Sequence, residues 1–83
     1  MTDKTILEKI KLIVIPYVQR KEGLENFNEK TDFITDLKIN SANLVDVILD
    51  VEDEFNIEID TTSMEGMLTA GDAKRIIVTK LEN

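Results

Sequence analysis

The sequence predicts a small all-α protein: a four-helix bundle with three main helices, one short third helix and a long first loop. Two observations carry that expectation. Apolar residues recur at helical spacing in three separate stretches, and the hydrophobic 42% of the chain is mostly Ile, Leu and Val, with aromatic residues only 5% of the chain. Length adds a bound: a chain of 83 residues buries only about 60–65% of its unfolded surface, so one modest core in one domain over residues 1–83 is expected.

The first helix is read from DKTILEKIKLIVIPYV, where Ile6, Ile10, Ile13 and Tyr17 form an apolar line and Leu7, Val14 and Val18 widen it. Thr2 or Asp3 can cap its start. Pro16 lacks an N–H and clashes with the preceding turn, so it either kinks this helix or ends it early. The next stretch, QRKEGLENFNEKTDFITDLKIN, holds no sustained period. It reads as a long loop ordered by Leu24, Phe27, Phe33, Ile34 and Leu37, which are expected to drop onto the core.

The second helix begins at Ser41, with Asn40 or Ser41 as its N-cap. Leu44, Val47, Ile48, Val51 and Phe55 mark its core face, and Asn56 is its expected stop. The short extended piece IEID follows. Residues 61–68 hold one short helical turn broken at Gly66. The last helix starts near Thr69 or Gly71, with Ala73, Ile76, Ile77 and Leu81 turned inward.

Charge divides the chain. The net charge is −7, yet residues 1–30 carry a small positive excess, and between Lys38 and Lys74 there is no lysine or arginine at all. Such a balance disfavours nucleic-acid backbones and anionic membranes and favours basic protein surfaces as partners. No apolar run precedes the charges of MTDKTILEK, and the longest one, Leu12 to Tyr17, is interrupted by Pro16 and far too short to span a bilayer. A cytoplasmic protein, not inserted in a membrane, is expected.

Cysteine and histidine are both absent. Disulfides and thiolate chemistry of the chain's own are therefore excluded, and the usual general base and transition-metal ligand are missing. Ser41 has no G-x-S-x-G elbow and no base to activate it, so a non-catalytic role is expected. The run DVEDEFNIEIDT has an oxygen-rich start, but its sixth position is Phe55 where a calcium loop needs glycine, and it ends in threonine rather than glutamate. No metal site is expected.

Two features remain. On the second helix, Val45 and Leu49 fall off the core line and are ringed by Asp46, Asp50, Glu52 and Asp53. This is either an ordinary solvated face or apolar knobs in an acidic ring, suited to a basic groove on a partner. Ser41 is either a plain N-cap or, because a helix N-terminus stabilises an attached phosphate, the carrier of a phosphodiester.

The stretch FITDLKINSANLVDVILDVEDEFNIEID resembles the acyl carrier proteins, whose signature runs F-x-x-D-L-G-x-D-S-L and continues into an acidic helix. Phe33, Asp36, Leu37, Ser41, Val45, Glu52, Glu54, Phe55, Ile57, Glu58 and Ile59 fall in register, and LTAGDAKRII matches the opening of that family's last helix through Thr69, Gly71, Asp72, Ala73 and Ile77. The resemblance implies 4′-phosphopantetheine attached to Ser41 by a phosphopantetheinyl transferase, with acyl groups held as thioesters for enzymes of fatty-acid, lipid or polyketide-type synthesis. It also implies a monomer whose docking face includes Asn40, Ala42, Val45, Asp46, Leu49, Asp50, Glu52 and Asp53. An aminoacyl or D-alanyl carrier and an unmodified acidic interaction module are the alternatives. The chain departs from the pattern at Asn40 (usually Asp), Ala42 (usually Leu), Lys38 (often Gly) and Asn43 (often acidic), which suggests a specialised carrier serving one pathway.

Overall fold

In the computed structural model, which describes residues 2–82, the first helix, α1, spans Asp3–Val14. Thr2 caps it by accepting the Thr5 N–H at 3.2 Å on its side-chain oxygen. Pro16 ends the helix rather than kinking it. Its missing N–H stops the α-helical ladder, and the chain tightens into a 3₁₀ turn over Ile15–Tyr17. The covered line differs from the one read in the sequence: it is Ile6, Ile10, Val14 and Val18, while Ile13 and Tyr17 are only half-buried.

The expected long loop is ordered. After a second 3₁₀ turn at Lys21–Leu24, residues 29–33 run antiparallel to residues 68–71. Gly71 N–H donates to the Glu29 carbonyl at 2.8 Å, Ala70 N–H to that of Thr31 at 2.9 Å, and Phe33 N–H to that of Leu68 at 3.0 Å. These bonds flank a single isolated bridge, Asp32 with Thr69. Phe33 and Leu37 reach the core as expected, joined by Ile39, with Leu24 and Phe27 packed against its edge. Ile34 does not; it is exposed. The Asp32 carboxylate accepts the N–H groups of both Ile34 and Thr35 at 2.8 Å, a local turn that sends Phe33 and Leu37 inward and Ile34 out.

The second helix, α2, spans Ser41–Phe55 and ends on Asn56, whose left-handed backbone (φ 53°) lets Ile57 N–H return to the Glu52 carbonyl at 3.1 Å. The Glu52 side chain accepts the Ile59 N–H at 2.6 Å. One residue thus pins the extended 57–59 piece to the end of α2, with Ile59 buried.

The short helix α3, Thr61–Glu65, stops at Gly66, and α4 spans Ala70–Glu82. Thr69 and Asp72 cap α4 reciprocally: the Asp72 carboxylate accepts Thr69 N–H at 3.2 Å and the Thr69 hydroxyl accepts Asp72 N–H at 3.1 Å. Ala70, Ala73 and Ile77 are buried and Ile76 half-buried, but Leu81, expected inward, is exposed because the last turn of α4 runs beyond cover. The core is one cluster drawn from α1, α2, α4 and the long loop. Lys74 reinforces it at the edge by reaching both Asp3 and Glu29.

Gly71 lies where two backbones meet. A Cβ there would stand 2.8 Å from the Glu29 carbonyl oxygen and 3.1 Å from the Glu29 Cβ. Alanine would gain about 1 kcal/mol or less of helix propensity in this first turn, against an overpacking cost of about 1–3 kcal/mol. The clash wins. Gly71→Ala is therefore expected to lower the unfolding free energy in urea by about 1 kcal/mol or more, and an unchanged midpoint would show that the loop can yield there.

Candidate functional site

The site is built around the start of α2. Leu37 is held by its carbonyl, which accepts both Gln19 and Arg20 N–H at 3.1 Å, and Ile39 N–H donates to Phe33 at 3.0 Å. Between these anchors Lys38 turns through a left-handed conformation, φ 57°. Such a backbone costs an ordinary side chain about 1–2 kcal/mol, which is why glycine suits this place in the related signature. Asn40 then adopts an extended backbone and caps the helix, its side-chain oxygen accepting Asn43 N–H at 2.8 Å.

Ser41 is therefore not the cap. Ser41 is the first helical residue and is exposed, so its hydroxyl is not consumed in starting the helix. Of the first-turn N–H groups that lack an intrahelical partner, Asn43 is satisfied by Asn40, while those of Ser41 and Ala42 find no partner among the described residues. An exposed hydroxyl beside two spare N–H donors at the positive end of a helix is a donor set that fits a phosphodiester.

The expected docking residues divide. At about 100° of rotation per residue, Ala42, Val45, Asp46, Leu49 and Asp53 lie on the side of α2 opposite Val47, Ile48, Val51 and Phe55. Val45 and Leu49 are each 50% exposed. Asn40 and Ser41 stand at one end of this face, so the structure brings these residues together. Asp50 and Glu52 lie at its two margins and are half-buried. Glu52 is engaged by Ile59, and Asp50 accepts the Tyr17 hydroxyl at 2.7 Å. Among the described residues, no group of three or more His, Cys, Asp or Glu side chains could hold a metal ion, and no helix is long and apolar enough to cross a membrane.

Sequence reasoning missed Tyr17 as a support of the acidic face. Its only signal was a phenol on the widened stripe of α1, which says nothing of the residue it meets 33 positions later. The hydrogen bond to Asp50, followed by burial and the nearby charges of Asp50 and Asp46, holds the Tyr17 phenol above its ordinary value of 10.0.

No protein-family model matches the chain. Individual relatives do. The chain is 37% identical to the acyl carrier protein of Caulobacter vibrioides over 75 residues, covering 90% of this chain and 94% of that one. It is 36% identical to the acyl carrier protein of Phenylobacterium zucineum over 76 residues, covering 92% and 94%. The chain belongs to the acyl carrier protein family. Its fold agrees: it superposes on the acyl carrier protein of Enterococcus faecalis with a TM-score of 0.77 at 26% identity, covering 96% of this chain and 99% of that one. Membership of this family supports a carrier role in general.

Two measurements check the local account. Lys38→Gly relieves the left-handed strain but makes the unfolded chain more flexible, by about 0.5–1 kcal/mol, so a net stabilisation of up to about 1 kcal/mol is expected by chemical denaturation; a destabilised variant would mean that the Lys38 side chain is itself needed. For Tyr17, the sole tyrosine, ultraviolet titration should give a midpoint above 10.0 that falls in Asp50→Asn. Because the folded value is raised, this bond contributes stability fully present below 10.0 and lost as pH rises through the folded midpoint. A native midpoint at 10.0 would show that the bond is not kept in solution.

Proposed function

We propose that Ser41 carries 4′-phosphopantetheine and that the protein presents acyl groups to partner enzymes of fatty-acid, lipid or polyketide-type synthesis. The observation that carries this reading is the division of labour at the start of α2, where Asn40 closes the helix and leaves an exposed Ser41 hydroxyl beside spare N–H groups. When bound, the prosthetic group supplies a thiol on a long arm, which the chain, lacking cysteine, does not have.

The chain's own residues bind and orient. The N–H groups of Ser41 and Ala42 hold negative charge at the attachment point. The acidic face steers basic partner surfaces: Asp46 and Asp53 contribute charge, and Val45 and Leu49 are the apolar contacts buried on docking. Asp50, fixed by Tyr17, adds an oriented carboxylate at the margin, while Glu52 acts mainly by holding the 57–59 segment in place. The first partner is a phosphopantetheinyl transferase. No step of this role asks a side chain of the protein to act as acid, base or nucleophile towards cargo.

Asn40 and Ala42 favour a specialised carrier. Relative to the family pattern the attachment site lacks one carboxylate and one apolar side chain, which reduces what a general transferase can grip and leaves recognition to an enzyme matched to this surface.

Intact-protein mass spectrometry after incubation with coenzyme A and a transferase tests the proposal. A gain equal to phosphopantetheine is expected, absent in Ser41→Ala. The double reversal Asp46→Lys with Asp53→Lys is expected to slow modification about tenfold or more with the helical circular dichroism intact. No gain with either a general transferase or one from the same source would leave the unmodified acidic module as the better reading.

A further inference from the structure

Among the described residues, the most exposed large apolar side chain is on neither face of α2. It is Leu12 of α1, 68% exposed. A lone exposed leucine needs no explanation, but Leu12 lies in an open groove between α1 and α2, with Ile13 and Pro16 on one wall and Asp50, Asp53 and Glu54 on the other. Apolar groups on one wall face carboxylates on the other.

Those carboxylates have capacity to spare. Asp50 accepts the Tyr17 hydroxyl through one oxygen, Oδ2, leaving the other for a second donor. Lys9 meets Glu54 at 3.1 Å in an ion pair whose side chains are 36% and 45% exposed; an exposed pair of this kind is weak, so a better-placed cation can displace Lys9. Asp53 forms no ion pair among the described residues and stands between this groove and the Val45–Leu49 side of α2. The acidic stripe Asp46, Asp50, Asp53, Glu54 is therefore bordered by apolar side chains on both edges.

The geometry points to a second docking wall on α1: the α1–α2 groove takes a basic segment of a partner enzyme, its cations on Asp50, Asp53 and Glu54 and an apolar side chain on Leu12 and Pro16. This inference rests on the docking reading above and extends it, since that reading uses only the outward face of α2. The occupant is chosen by charge. The groove's acidic wall disfavours an acidic or phosphorylated segment, and its apolar wall is desolvated only by a partner that brings an apolar group of its own.

The test uses isotope-labelled full-length protein and a synthetic helical peptide of about 14 residues, with arginines flanking one leucine face. Amide signals of Leu12, Ile13 and Glu54 are expected to shift on titration, together with those of Val45 and Leu49. Leu12→Glu should weaken the peptide about tenfold or more and, because Leu12 is exposed, leave circular dichroism unchanged. Lys9→Met, which frees Glu54, should strengthen it about two- to fivefold. Shifts confined to Val45 and Leu49, unchanged affinity in Leu12→Glu, or weaker affinity in Lys9→Met would overturn the groove. Ser41→Ala should bind the peptide normally. Retained groove binding alongside failed phosphopantetheine attachment would reject the carrier reading and keep this one; attachment without groove binding would do the reverse.

Discussion

The antiparallel clasp between residues 29–33 and 68–71 is the contact on which the rest of the bundle depends. The long first loop would otherwise carry Phe33, Leu37 and Ile39 as three apolar residues on a floppy tether, and fixing a residue's backbone costs about 1–2 kcal/mol. The clasp supplies three backbone hydrogen bonds of 2.8–3.0 Å, and Gly71 permits them by letting the Glu29 carbonyl come within 2.8 Å of where a Cβ would stand. Phe33 then passes the constraint forward. Its N–H is tied to Leu68 and its carbonyl to Ile39, which lies two residues before Ser41. The start of α2 is therefore positioned by the turn before α4, a segment about thirty residues away in the chain.

Charge organisation follows a different logic. A helix carrying Asp46, Asp50, Glu52, Asp53 and Glu54 with no base of its own repels itself, and the fold disperses that repulsion by giving its members separate environments. Glu52 takes a backbone N–H, Asp50 a phenol, and Glu54 a lysine from α1. Asp46 and Asp53 have no such hydrogen bond or ion pair among the described residues, which is why the proposed docking face rests on them. The same acidic sequence thus divides into carboxylates tied into the fold and carboxylates left to solvent, and burial of the Ile59 segment depends on the first group.

The helices were legible because each buries a periodic stripe: the core line of α2 and the stops at Asn56 and Gly66 follow from local chemistry, while the α1 line shifts from Ile13 and Tyr17 to Val14 and Val18, and only the structure decides that Pro16 ends α1 rather than kinking it. The misreadings are places where a specific contact or the limit of cover decides, rather than periodicity. Ile34 has the same composition as a core anchor, but the Asp32 carboxylate turns it outward. Leu81 continues the α4 stripe past the end of its cover. Within the site, the line Val45–Leu49 could be read from spacing, and so could the choice of Asn40 or Ser41 as cap, though not which. The pairing of Tyr17 with Asp50 and the exposure of Leu12 depend on how α1 crosses α2, and no periodicity encodes a crossing.

The cap at Asn40 separates two properties that one residue could otherwise have joined. Asparagine and aspartate are about equally good N-caps, because the cap needs only a side-chain oxygen to accept an N–H from the first turn, here that of Asn43 at 2.8 Å. Replacing the family's usual aspartate with asparagine therefore leaves the helix start, and so the presentation of Ser41, unaltered. What changes is the field: one negative charge fewer next to Ser41, while the acids further along α2 remain. A transferase or synthase that grips the middle of the acidic face would find little difference, whereas one that needs a carboxylate beside the serine would lose a contact. If Ser41 bears the prosthetic group as proposed, specialisation at that point would come without any cost in the stability of the helix that bears it.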